Sequence, residues 1–239
     1  MDNKNNETKL IIFDYDGVLI DSFPMACEIY NDFFEKFGIL NKFNNGNKFD
    51  DHYFRNFFDV NWKLPLNNMG FTDDMLNECA KSYFSRFNSD SSKMLFDGIE
   101  DVLKILKNQG YKIAIASNNK EDAIKLRLTK EGIIDCFDLI IDDSFGMKPD
   151  PAGVIAALDK LSISPENAVL IGDMDGDIEA AQNANLKKAI AVTWGYHLKK
   201  KLLNADVIID SPEQLLEAIK WVMTIMIHLE LTRKQLKKK

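Results

Sequence analysis

Residues 10–22 read LIIFDYDGVLIDS. An apolar run of strand character, Leu10 to Phe13, leads into two carboxylates, Asp14 and Asp16. Side chains two apart in an extended chain project to the same side, so the two acids face together and Tyr15 faces away. At an effective dielectric near 20, unit charges about 4 Å apart repel by roughly 4 kcal/mol. A fold tolerates that cost only where something cationic sits close by, so the stretch predicts a buried strand with a charged site at its tip.

The composition allows such a core. The chain has 239 residues, of which 46% are hydrophobic, enough for one large domain or two unequal ones and too many for a disordered chain. A net charge of -7 argues against a nucleic-acid binder, which needs a basic face. Cys27, Cys79 and Cys136 are odd in number and too scattered for a disulfide framework or a zinc site, which suits a reducing cytoplasm. The polar start MDNKNNETK lacks an apolar signal region, and the late apolar run WVMTIMI is too short to cross a bilayer. The basic end RKQLKKK reads as a solvated tail, with attachment to a membrane surface as the alternative.

From Tyr111 onward, short apolar segments alternate with amphipathic ones. Strands are expected at 111–117, 137–143, 167–173, 187–193 and 205–210, and helices at 120–132, 150–161, 177–185, 197–203 and from 212. This alternation predicts an α/β fold, a doubly wound parallel sheet covered on both faces, which the first strand joins. Between them, 22–37 and 73–87 have helical periodicity and no buried-strand pattern appears. Residues 21–93 therefore read as a smaller α-helical domain inserted after the first strand, and 1–20 with 94–239 as the core, resuming with a helix over 99–108. The segment NKFNNGNKF, 41–49, reads as a loop at the tip of the insertion.

In open α/β sheets ligands bind beyond the carboxyl ends of the strands. Those ends carry Asp14 and Asp16, then Ser117 and Asn118, then Lys148 in GMKPDP, then Asp173 and Asp177 in GDMDGD. Four acids, a hydroxyl and an ammonium suit phosphoryl chemistry with Mg²⁺, which takes oxygen ligands and is held by one or two carboxylates, here Asp14 and Asp173. Lys148 and the Ser117 hydroxyl would hold phosphoryl oxygens.

Together DYDGVLIDS, ASNNK, GMKPDP and GDMDGD resemble the four ordered motifs of the haloacid dehalogenase superfamily, over nearly the whole chain, with the insertion where that family carries a C1-type cap. The resemblance implies a Rossmann-like core and assigns roles. Asp14 matches the nucleophile that forms an aspartyl-phosphate. Asp16 matches the acid/base and offers a backbone carbonyl to the metal, with Gly17 freeing the turn. Ser117, Asn118 and Lys148 match the phosphate-binding segment, Asp173 the metal ligand and Asp177 its supporting acid. An Asp at position 16 implies phosphate esters rather than carbon–halogen or phosphonate bonds, because only an ester oxygen needs protonating.

The implied activity is a Mg²⁺-dependent phosphatase of a small phosphorylated metabolite, similar to the phosphoglycolate phosphatase group, a likeness that includes TWGYH at 193–197. A β-phosphoglucomutase-like outcome is the first alternative, which Val18 in place of the frequent Thr slightly favours; a non-catalytic receiver-like switch is the second. Tyr15 stands where Leu or Met is commoner.

DMDGD is no EF-hand, since its glycine falls too early and the twelfth position is Ala184. Ser117, Asn118 or Asn119 would also serve as a helix cap. Asp142 and Asp143 read either as supports for Lys148 or as loop acids. His52, His197 and His228 form no ligand set. Phe33, Phe34, Phe54, Phe57 and Phe58 read as core, and Arg55, Arg86 and Lys63 are the insertion's candidates for substrate contact. Trp221, Met223, Ile225 and Met226 are more apolar than one buried stripe needs, so the last helix docks on the core or pairs two copies, and the protein is expected to be a monomer or homodimer.

Overall fold

The computed structural model describes residues 8–90 and 94–220. Strands β1 (Leu10–Phe13), β2 (Lys112–Ala116), β3 (Leu139–Ile141), β4 (Ala168–Gly172), β5 (Lys188–Val192) and β6 (Val207–Ile209) form one sheet, in the order β3-β2-β1-β4-β5-β6. Every pairing is parallel. Helices α1 (Phe23–Lys36), α2 (Ile39–Asn44), α3 (Asp51–Phe57), α4 (Lys63–Asn68) and α5 (Asp73–Ser89) fill the stretch after β1. Helices α6 (Ile99–Asn108), α7 (Glu121–Lys130), α8 (Ala152–Leu161), α9 (Asp175–Asn183) and α10 (Leu215–Lys220) belong to the core.

The strands are continuous apolar runs because both faces of the sheet are covered. Leu10 and Ile12, with Ala114, Ala116 and Leu170, pack against α8 and α9. Ile11 and Phe13, with Ile113, Ile115 and Ile171, pack against α6, α7 and α10 on the opposite face. Tyr15 continues the second series and is fully buried edge-on against Phe87 of α5, away from the acids as the strand period requires.

The insertion has its own aromatic core. Tyr30 and Phe34 of α1 meet Phe54 and Phe57 of α3, mostly edge to face. Asp50 and Thr72 cap α3 and α5, accepting from Tyr53 N and Met75 N. Three local expectations are corrected. Residues 41–49 are not all loop, because α2 runs to Asn44 before Asn45 and Gly46, at φ 50° and 80°, turn the chain back; asparagine's weak helix propensity hid that turn. The helix expected over 197–203 is only a 3₁₀ turn at Lys199–Lys201, where three successive lysines give no apolar stripe to bury. The helix expected from 212 opens as a 3₁₀ turn, Pro212–Gln214, before α10.

Trp221, Met223, Ile225, Met226, His228 and the basic tail lie outside the described residues. No helix among the described residues is long and apolar enough to cross a membrane.

One buried ion pair ties the insertion to the core. Arg127 of α7, 2% exposed, donates to Phe87 O at 2.7 Å and Asp90 O at 2.9 Å, satisfying carbonyls at the end of α5, with its guanidinium 5.1 Å from the Phe87 ring centre. Glu131 lies 3.6 Å away and accepts from Met94 N at 3.0 Å, where the chain re-enters the core. Arg127→Met removes both of these hydrogen bonds and the charge partner of a buried carboxylate, so it is expected to cost about 3 kcal/mol or more in urea unfolding. Arg127→Lys recovers only part of this, since an ammonium lacks the planar fork.

Candidate active site

The topology reverses between β1 and β4, and the site lies at their tips. Phe13 pairs with Ile171 and Asp14 N donates to Ile171 O at 2.8 Å, which sets Asp14 beside Gly172 and next to Asp173. The loop after β3 returns Lys148, whose Nζ lies 2.5 Å from Asp14 Oδ1 and 2.6 Å from Asp177 Oδ1. Asp14, Asp173 and Asp177 are all buried and offer oxygens within 4.8 Å of one another. Three carboxylates thus confront one ammonium.

Electrostatics follow from that ratio. Burial pushes the Asp14 carboxyl up to about 7, against the pull of Lys148 and with Asp177 adding to the push. Burial, then Asp14 and Asp177, hold Asp173 well above the usual carboxylate range. Burial alone would lower Lys148, but the two acids raise it above its ordinary value, so it stays charged.

The arrangement fits a hard divalent cation. Asp173 Oδ2 accepts from Tyr196 N at 2.5 Å, while its buried Oδ1 has no hydrogen-bond partner. Asp177 Oδ2 accepts from Asp173 N and Met174 N at 3.1 and 2.9 Å, closing the start of α9, and its other oxygen meets Lys148. Oxygen donors, a charge deficit and an orphaned carboxylate oxygen are what such an ion needs.

Asp16 stands apart from this cluster. Ser22 Oγ donates to Asp16 Oδ1 at 2.6 Å and Asn119 Nδ2 donates to Oδ2, with Tyr83 of α5 lining the cavity beside them. Tyr196 OH lies 3.0 Å from Ser22 Oγ; with the serine proton directed at Asp16, the phenol is the donor there. Burial pushes Asp16 up to about 6, and the Ser22 hydrogen bond opposes it. A carboxyl poised there can give and take a proton near neutral pH.

Glycines make room for the acids. Gly17 has φ +75°, and a Cβ there would run into the Asp173 carboxylate and the Tyr196 ring. Gly195 presses on Asp173 from the other side. Ser117 is buried and lines the cavity above the cluster; its Oγ accepts from Asn119 N at 3.1 Å. Asn118 Oδ1 accepts from Lys148 N at 2.9 Å, which fixes the loop carrying the ammonium.

The structure brings together Asp14, Asp16, Gly17, Ser117, Asn118, Lys148, Asp173 and Asp177. Sequence reasoning missed Ser22, Tyr83, Asn119, Gly195 and Tyr196. Four of these, all but Tyr83, lie in segments already quoted, LIIFDYDGVLIDS, ASNNK and TWGYH, and lacked a partner until folded. His197 of TWGYH is buried; its Nδ1 accepts from Asp175 N at 3.3 Å, so Nε2 donates to Phe58 O at 2.9 Å and latches that loop to the insertion.

The insertion's cations are not where substrate contact requires them. Arg55 donates to Gly195 O and lies 4.3 Å over the Phe23 ring. Arg86 pairs with Glu28 and Asp32, and Lys63 lies beside Trp62, 5.6 Å from its ring centre; none of the three lines the cavity. Each has a local acceptor or ring that sequence spacing does not display. Asp143 pairs with Lys120 and Asp142 with Ser144, so both are loop acids rather than supports for Lys148.

The site opens into a cavity of about 190 Å³ between the strand tips and the insertion. Comparison with known proteins agrees with this geometry. A profile for haloacid dehalogenase-like hydrolases matches residues 11–191. A phosphoglycolate phosphatase of Nitrosococcus oceani is 28% identical over 86% of this chain and 93% of its own. A phosphorylated carbohydrates phosphatase of Thermotoga maritima is 26% identical over 89% of this chain and 99% of its own. In fold, a haloacid dehalogenase-like family hydrolase from Streptococcus pneumoniae superposes with a TM-score of 0.74 over 88% of this chain and 98% of its own, at 24% identity. A six-stranded parallel sheet with its acids at the β1 and β4 tips, matched by that profile over most of its length, is a haloacid dehalogenase-like hydrolase, and the chain belongs to that family.

Proposed function

We propose that the chain is a Mg²⁺-dependent phosphatase that hydrolyses a small phosphate monoester through a phosphorylated Asp14, with residues 21–93 acting as a cap. The observation that carries this is the buried trio Asp14, Asp173 and Asp177 facing the single ammonium of Lys148, with Asp173 Oδ1 unpartnered. Asp14, Asp173 and the main-chain carbonyl of Asp16 would hold the metal, with Asp177 in support; bound there, it offsets phosphoryl charge.

The chain's own residues account for the rest. An Asp14 carboxylate oxygen attacks phosphorus as the bond to the ester oxygen breaks, and Asp16 gives its proton to the departing alkoxide. Asp16 then takes a proton from the water that attacks the phosphorus of phospho-Asp14, releasing phosphate and restoring both carboxyls. Lys148 and the Ser117 hydroxyl, with the main chain at Asn118, steady the phosphoryl oxygens. Ser22 and Asn119 fix the direction of the Asp16 carboxyl. A switch that only carried a phosphoryl group would not need this positioned acid.

A phosphomutase is supported less well. It must hold a second phosphate, and among the described residues Lys148 is the sole Lys or Arg lining the cavity.

With Mg²⁺ the protein is expected to release phosphate, EDTA is expected to stop it, and Asp14→Asn is expected to release none; retained turnover in that variant removes Asp14 as nucleophile. Asp173→Asn takes one charge from the crowded trio. In metal-free buffer at pH 7.5 it is expected to raise the urea midpoint while abolishing the rise in melting temperature that Mg²⁺ gives the wild type. A lowered midpoint without metal counts against the electrostatic reading of the trio.

A further inference from the structure

Beyond the strand tips, the cavity wall is nearly all hydrocarbon and aromatic. Ile29 of α1, Val60 and Trp62 before α4, Ala80 and Phe84 of α5, and Met174 at the start of α9 surround the space a leaving group would occupy. The charged side chains at this wall are negative: Asp16 at the reacting end, and Asp59, whose Oδ1 accepts from Asn61 N at 2.8 Å. Lys148 is the sole lining cation among the described residues, and it already touches both Asp14 and Asp177. Arg55, Arg86 and Lys63, the insertion's candidates for a second positive charge, are turned to Gly195 O, to Glu28 and Asp32, and to Trp62.

We infer that the substrate is the phosphate monoester of an uncharged, largely apolar alcohol of about one ring in size, and that esters carrying a carboxylate on the leaving group are rejected. This deepens the phosphatase reading above and rests on it. A carboxylate in this space would lose water without gaining a cation and would share the wall with Asp16 and Asp59, which disfavours it. An apolar ring loses nothing there and gains contact with Trp62 and Phe84. Size points the same way: an apolar cavity of about 150 Å³ accommodates benzene, and the cavity here is about 190 Å³ including its phosphoryl end.

The test compares kcat/KM of the full-length protein with Mg²⁺ on benzyl phosphate, on 2-phosphoglycolate and on acetyl phosphate, whose activated leaving group makes little demand on the wall. Benzyl phosphate is expected to exceed 2-phosphoglycolate by about 100-fold or more, the scale on which an unpaired buried polar group discriminates. Equal values, or a preference for 2-phosphoglycolate, overturn the inference and leave the phosphatase reading standing. Turnover of acetyl phosphate with neither ester hydrolysed does the same. No phosphate from any of the three overturns the phosphatase reading itself. Trp62→Ala is expected to raise KM for benzyl phosphate at least about fivefold, the effect of a lost apolar contact; an unchanged KM counts against the ring-sized site.

Discussion

Three buried carboxylates share one ammonium, and the local structure around the strand tips is arranged to keep them there. Asp14 can sit beside Asp173 because β1 and β4 are direct neighbours in fixed register. Asp173 can be buried because glycines at 17 and 195 leave it room and Tyr196 N gives it one hydrogen bond. Lys148 stays charged because Asp14 and Asp177 outweigh its desolvation. An apolar replacement would relieve the repulsion, so the trio opposes folding locally, and on the proposed function it is tolerated for what it would do to a cation and a phosphoryl group.

The same constraint explains why the insertion has to be tied down at several points. In the proposed reaction Asp16 must keep its direction, and Tyr83 of α5 lines the cavity beside it. Helix α5 is in turn anchored by Arg127 of the core, which closes its carboxyl end. On the opposite rim His197 holds Phe58 O and Arg55 holds Gly195 O, so the 193–197 loop that packs Asp173 is also bound to the insertion. A cation that looks from the sequence like a substrate contact thus acts on the loop that packs Asp173.

Much of this was legible in the sequence, for a physical reason. Apolar runs covered on both faces, separated by amphipathic helices, admit few architectures, and chemistry in such sheets collects at the carboxyl ends of strands; Asp14, Lys148 and Asp173 could therefore be found one strand at a time. What was not legible depends on pairs remote along the chain. Asn119 reads as a helix cap until it meets Asp16, and Tyr83 and Tyr196, more than a hundred residues apart, look like ordinary aromatics until they converge beside Ser22. Arg55, Arg86 and Lys63 were misjudged for the same reason, since a free cation and a paired one are identical in sequence.

The division of labour between core and insertion then has an electrostatic origin. Every cation the site can offer is drawn to the strand tips, where the acids and the phosphoryl oxygens compete for it. The wall contributed by the insertion is left with shape and apolar contact as its means of selection, and with Asp16 and Asp59 it repels negative charge. On the proposed function, charge would hold the phosphoryl group, while fit and repulsion of negative charge would select the alcohol. A related chain can change its substrate by repacking α1 and α5, or by turning one arginine inward, without disturbing the charges that perform the reaction.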